Sequence, residues 1–157
     1  MLKNLNKEVQ AIEGRTLKGL IRASIIVRRS MDKNSPMIPV DTGNLRASWF
    51  VVTSKGATQR GRNPSFKGDD ASEMSTDHSS LTRKTAVAAK SMGKPVVILG
   101  FSANYAWYVH EMVGANFRQP KKGAKGGGQR GAKFFEAALK REKKEMLAVI
   151  QEEAKIK

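Results

Sequence analysis

The sequence lacks cysteine altogether and has few aromatic residues: six phenylalanines, two tryptophans and two tyrosines among 157 residues. Without cysteine, disulfides and thiolate metal sites are excluded. No apolar run approaches the roughly 20 residues that a membrane-spanning helix needs, and the opening MLKNLNKEVQ has no apolar signal-peptide core. We therefore expect a protein that is made in a cytoplasm and does not enter a membrane.

Acidic residues are also scarce, since 14 Asp and Glu face 29 Lys and Arg and leave a formal charge of +15. Such an excess predicts attraction to polyanions, which include nucleic acid, acidic protein surfaces and membrane surfaces. The charge does not choose among these partners and does not predict a fold. A run of charge is most often simply a solvated surface.

The chain length predicts a single domain over 1–157. Helical spacing of apolar residues predicts a long first helix over 3–30, with a second over 78–92 and a third over 133–154. The apolar stripe of the first helix comprises Leu5, Val9, Ile12, Thr16, Leu20 and Val27. Between the first two helices, the polar segment of about 55–77 is typical of a flexible insertion.

Two segments have strand composition, namely 45–53 and the stretch KPVVILGFS at 94–102, which Pro95 and Gly100 bound. The segment 104–113 fits either a strand or a helix, and a short helix is favoured because Asn104 and Gly114 suit its two ends. Residues of about 118–133 form a Gly/Lys/Arg loop without a carboxylate. This order predicts an α+β fold with long terminal helices, a middle helix and a small antiparallel or mixed sheet.

The tripeptide Asp41-Thr42-Gly43 allows two interpretations. An Asp-Thr-Gly turn carries the carboxylate of retropepsin-like aspartic proteases, and VILG at 97–100 resembles the segment that braces it there. Such an enzyme needs two paired aspartates, so this chain would have to dimerise. The alternative is a structural turn in which Asp41 accepts backbone hydrogen bonds and Gly43 adopts a positive φ. We favour the turn, which places Leu45 and Trp49 inward and Arg46 outward, because the long helices do not suit an all-strand protease.

Other catalytic patterns are weaker still. His110-Glu111 does not continue into His-Glu-x-x-His, and the only other histidine is His78, so a zinc site is not expected. KGGGQRG lacks the Gly-Lys-Ser/Thr order of a phosphate-binding loop. We therefore predict a protein that is not an enzyme and that binds no cofactor or metal.

Three blocks, in this order, resemble the tail-completion or neck proteins of tailed bacteriophages: PVDTGNLRASW at 39–49, NYAWYVHEM at 104–112 and AKFFEAAL at 132–139. That family typically shows Pro-Val-Asp-Thr-Gly-x-Leu-Arg, then Tyr-Ala-x-x-Val-Glu-x-Gly, then a Phe-rich entry to a final helix. The chain departs from it at His110, at Val113 and at 129–133.

The resemblance implies a structural virion protein that forms a ring at the head–tail junction, with six copies favoured and twelve as the alternative. Its implied partners are the head connector, the tail-tube or terminator proteins and DNA in the channel. The expected core or interface anchors are Trp49, Tyr105, Trp107, Tyr108, Phe134 and Phe135. The expected docking or DNA-contact residues are Lys121, Lys122, Lys125, Arg130 and Lys133. A basic nucleic-acid-binding module is the alternative.

Overall fold

A computed structural model describes residues 2–57, 64–121 and 128–155 and confirms the predicted α+β class. Its helices are α1 (Leu2–Lys33), α2 (Asn44–Ala47), α3 (Ala71–Ser91), α4 (Ala106–Glu111) and α5 (Phe134–Ala154). Its strands are β1 (Trp49–Thr53), β2 (Gly56–Ala57) and β3 (Val97–Phe101). Among the helices in these ranges, none is both long enough and apolar enough to cross a bilayer.

The two long helices, α1 and α5, pack antiparallel and form one layer of the fold. Near one end of the pair, the Ser30 hydroxyl donates a hydrogen bond to Glu142 at 2.7 Å. Near the other end, a Cβ built on Gly19 would lie 3.0 Å from the Ile150 Cα. Glycine lowers the intrinsic stability of a helix, but at this position its missing side chain allows the two backbones to approach closely.

The sheet has the order β2-β1-β3, and both pairings are antiparallel. Because side chains alternate along a strand, the two faces of β1 contribute to two different hydrophobic clusters. Trp49 packs against the cluster that contains Val27 and Phe134, whereas Phe50 and Val52 form a second cluster under α3. The fold therefore has three layers, with the sheet between the α1–α5 pair and α3.

Two predicted boundaries are wrong. Residues 44–47 form α2 and not the start of a strand, because Gly43 accepts the Ala47 N–H at 2.9 Å and starts a helical turn. Helix α3 begins at Ala71, inside the segment predicted to be a flexible insertion. Met74 packs against the main core and His78 is buried, so tertiary contacts stabilise a helix whose composition is mostly polar.

The apolar stripe predicted on α1 is buried along only part of its length. Val27 and Met31 are fully buried, whereas Leu5 is 60% exposed and Val9 is 45% exposed. The reason is that α5 ends at Ala154, where the neighbouring Glu153 contacts Lys18 and Arg22. The first three turns of α1 therefore extend past the end of the helix that covers the rest.

Candidate assembly surface

The Asp41-Thr42-Gly43 segment is a turn with the predicted positive φ, since Gly43 has φ 96°. The hydrogen bonding differs from the prediction. The Asn44 N–H donates to the Thr42 hydroxyl at 3.4 Å, while Asp41 is exposed and forms no hydrogen bond with the described residues. Burial raises the pKa of Tyr105, and the nearby Asp41 charge raises it further. Asp41 thus lies beside the start of α4 instead of bracing its own turn.

The residues after the turn attach it to the rest of the fold. Leu45 is buried and Arg46 is exposed, as predicted, and Arg46 pairs with Asp32 at 2.9 Å. Asn44 makes a reciprocal pair with Lys67, accepting its N–H at 2.8 Å and donating to its carbonyl at 2.9 Å. This contact was not predicted from the sequence. Its only signal in the sequence is the residue type, since an asparagine side chain can both donate and accept hydrogen bonds.

The aromatic side chains inside the molecule meet edge to face. The Trp49 ring lies 5.2 Å from Phe101 and 6.1 Å from Phe135, and Phe101 lies 5.6 Å from Phe134. Trp49 and Phe135 are half-buried against the core, while Phe134 is 1% exposed. Phe134 is therefore the central anchor of the third sequence block, and Phe135 lies at its edge.

A second aromatic group lies on the surface of α4. Tyr105 is 38% exposed, Tyr108 is 64% exposed and Trp107 is 75% exposed, and Val113 beyond the helix is 74% exposed. Ala106 is buried and Val109 packs against the core, so this inward pair at i and i+3 directs the residues between them to solvent. We name Tyr105, Trp107, Tyr108 and Val113 the α4 patch.

A polar cluster holds α4 to the start of α5. Glu111 accepts hydrogen bonds from the Lys133 ammonium and from His110 Nδ1, the latter at 2.8 Å. These contacts, Lys133 first, lower the pKa of Glu111. The Lys133 backbone N–H donates to the His110 carbonyl at 2.7 Å. Lys133, predicted as a docking or DNA-contact residue, thus has partners within the chain that hold α4 to the start of α5.

Arg130 is likewise engaged within the chain and closes the base of the basic loop. Its guanidinium donates to the Arg118 carbonyl at 2.9 Å and to the Val40 carbonyl at 3.3 Å. The Gln119 side chain accepts the Arg130 N–H at 2.8 Å and donates to the Arg130 carbonyl at 3.0 Å. Of the other predicted loop residues, Lys121 is exposed, and Lys122 and Lys125 lie outside the described residues.

The described residues contain no group of three His, Cys, Asp or Glu side chains placed to hold a metal ion. Comparison of the chain with protein-family models, curated proteins and solved structures returned no match. A function is therefore inferred from the three sequence blocks and from the surfaces that they form.

Proposed function

We propose that this chain is a structural virion protein: a tail-completion or neck subunit that forms a ring and joins a phage tail to the head connector around the DNA channel. The ring has six copies in the favoured form and twelve in the alternative. Assembly takes place in the host cytoplasm, and the finished subunit resides at the neck or tail top. No catalytic residue and no cofactor takes part.

The observation that supports this proposal most directly is the α4 patch. The chain has only four tryptophan and tyrosine residues, and three of them are in this patch with large exposed fractions. Tryptophan and tyrosine are enriched at the energetic centres of protein interfaces. An exposed group of this kind, placed on a short helix by a buried alanine and a polar cluster, is typical of a contact surface.

The patch falls inside the second sequence block, and the turn of the first block lies next to it. The charge of Asp41 influences Tyr105 at the start of α4, while Lys133 of the third block region binds Glu111 at its end. The three blocks of the resemblance therefore meet around one surface. This convergence favours a shared role in assembly over three unrelated structural roles.

The ring is tested by native mass spectrometry of the purified chain, and of necks released from particles, comparing wild type with Trp107→Ser/Tyr108→Ser. The matched control is Val87→Ser, which removes a side chain that is 67% exposed on α3. We expect rings for wild type and the control, and smaller species for the double variant. Only monomers and dimers in wild-type necks would refute the proposal.

The basic nucleic-acid-binding alternative is less favoured because Arg130 and Lys133 already have partners within the chain. Replacing Lys121, Lys122, Lys125 and Arg130 with Ser separates the roles. A docking role predicts heads and tails that fail to join, whereas a DNA-binding role predicts joined particles with altered DNA retention. Because Arg130 also closes the loop, a variant that retains Arg130 is the control for misfolding.

The protease alternative predicts that Asp41→Asn abolishes a peptidase activity that a statine-type inhibitor also blocks. Under the neck proposal, the same variant assembles normally, since the exposed Asp41 carboxylate forms no hydrogen bond with the described residues. Measuring peptide cleavage and ring formation on the same preparation distinguishes the two.

A further inference from the structure

The first part of α1 has an apolar face that nothing in the described chain covers. We name Lys3–Glu13 the overhang, because it lies beyond the end of α5. All its side chains from Lys3 to Ala11 are exposed. At about 100° per residue, Leu5, Val9 and Ile12 fall on the same side of the helix as the buried Val27. The bare stripe thus continues the face that α5 covers farther along.

The charges of the overhang are arranged around this stripe. On the same helical projection, Glu8 and Glu13 lie about 70° to either side of the stripe centre, whereas Lys3 and Lys7 lie on the opposite side of the helix. Neither glutamate forms an ion pair with a described residue. The face that a partner would cover is therefore apolar in the middle and acidic along both edges.

A groove of complementary character begins where the overhang ends. Its apolar surface comes from Gly14, Leu17, Ile21 and Ile25, its volume is about 460 Å³, and Lys18, Arg22 and Glu153 line the remainder. Glu153 is shared between Lys18, at 3.1 Å, and Arg22. Arg15, next to Gly14 in the sequence, has two shielded guanidinium nitrogens that find no hydrogen-bond partner among the described residues. Lys18 and Arg22 thus share one carboxylate, and the nearby Arg15 leaves this end of α1 with an excess of positive charge.

We propose that the overhang of one copy of this chain lies in the α1 groove of another copy. The two elements match in length, since 11 residues of overhang span about 16 Å and the 12 residues from Gly14 to Ile25 span about 18 Å. The acidic edges meet the excess of cations at the rim, and the apolar stripe covers the apolar groove. The inference concerns self-association and is independent of the neck proposal.

The absence of native cysteine makes a direct test simple. Val9→Cys and Ile21→Cys are made in separate chains, each thiol is shown to react with a monofunctional maleimide, and the two chains are mixed with a short bismaleimide. We expect a cross-linked heterodimer between positions 9 and 21, several-fold above a mixture of Ile21→Cys with the control Val87→Cys.

Three results would overturn the proposal. Cross-linking of Val9→Cys mainly to itself would show that overhangs pair with each other. A yield no higher than that of the Val87→Cys control would show that the groove does not receive the overhang. Rings that depend on Trp107 but lack the cross-link between positions 9 and 21 would refute this inference and leave the neck proposal standing.

The charges of the overhang are tested with a matched pair of double variants. Glu8→Gln/Glu13→Gln removes the acidic edges, and we expect it to lower the cross-link yield by roughly two- to fivefold. Lys3→Gln/Lys7→Gln changes the far side of the same helix and should leave the yield unchanged. Equal effects of the two double variants would contradict the proposed orientation of the overhang.

Discussion

Trp49 and Trp107 are the only tryptophans of the chain, and they have opposite environments. Trp49 lies at the start of β1, where Phe101 and Phe135 contact its ring and the Arg28 guanidinium lies 5.7 Å from its centroid. Trp107 lies on α4, and 75% of its surface is exposed. Trp49 thus links elements within one chain, whereas Trp107 has no such role among the described residues.

Residue type alone therefore does not separate fold from function in this protein. Scattered exposed apolar residues are normal on a monomer and need no explanation. Four grouped together, in a chain with so few aromatic residues, are different, because their burial in a complex would release a large apolar area from water. The interior aromatics should therefore affect stability, and the α4 patch should affect assembly.

The largest effect is expected for Phe134→Ala, which should lower the free energy of unfolding by about 3–5 kcal/mol. Phe134 is 1% exposed and contacts Phe101 and His110. Urea denaturation measures the loss, and Tyr108→Ala, at a side chain 64% exposed, serves as the control. Similar losses of unfolding free energy for the two variants would contradict the distinction between interior and surface aromatic residues.

The next effect concerns the turn that leads into Trp49. Gly43→Val should cost roughly 1–3 kcal/mol, because Gly43 has φ 96° and a β-branched side chain is strained there. Gly14→Ala is the control: it lies inside α1 with open space around a new Cβ, so it should stabilise by up to about 1 kcal/mol. Thermal melts of the two variants should move in opposite directions.

Strongly periodic and strongly apolar segments were the most predictable from sequence. The helices at both ends, the β3 strand and the short helix at 106–111 follow from local patterns. The start of α3 could not be predicted from composition, because contacts of Met74 and His78 override a polar sequence. The sequence likewise could not show that α5 stops short of Leu5 and Val9, since coverage depends on where a distant helix ends.

The sequence suggests which residues belong to the candidate site, but it does not show how they are arranged in space. Trp49 and Phe135 were expected in the core and Trp107 at a contact with a neighbour; in the structure Trp49 and Phe135 are half-buried against the core, and Trp107 is exposed. Arg130 and Lys133 looked like free loop cations in the sequence. Their partners are backbone carbonyls and a carboxylate that lie far away along the chain, and no local pattern encodes these contacts.

A smaller effect is expected from His78, which lies between the Phe50 and Phe66 rings. Burial lowers the pKa of His78, and a hydrogen bond with the Ser48 carbonyl partly opposes this. The unfolded chain therefore takes up a proton near pH 6.5 before the folded chain does. The contribution of His78 to the free energy of unfolding should be fully present above about pH 6.5. It should be lost as the pH drops toward the lower pKa of His78 in the folded state.

Urea denaturation between about pH 7.5 and 5.5 measures this dependence, in a range above the titration of ordinary carboxylates. His78→Gln should flatten the curve, because the group that titrates has been removed. The variant loses some stability at every pH, so the slope and not the absolute value is the readout. An unchanged slope would mean that His78 does not take up its proton in this range.

The smallest effect on stability is expected for Trp107→Ala, and this variant tests most directly whether Trp107 and Trp49 have different roles. Its side chain is 75% exposed, so truncation should change the free energy of unfolding by no more than about 0.5 kcal/mol. Interface anchors of this kind commonly contribute 2 kcal/mol or more to binding, on the order of a 30-fold change in affinity. Unfolding of the monomer and association are therefore measured on the same samples. A monomer that melts as wild type does but fails to associate places Trp107 at a contact between subunits, whereas a destabilised monomer that still associates would mean that Trp107 supports the fold as Trp49 does.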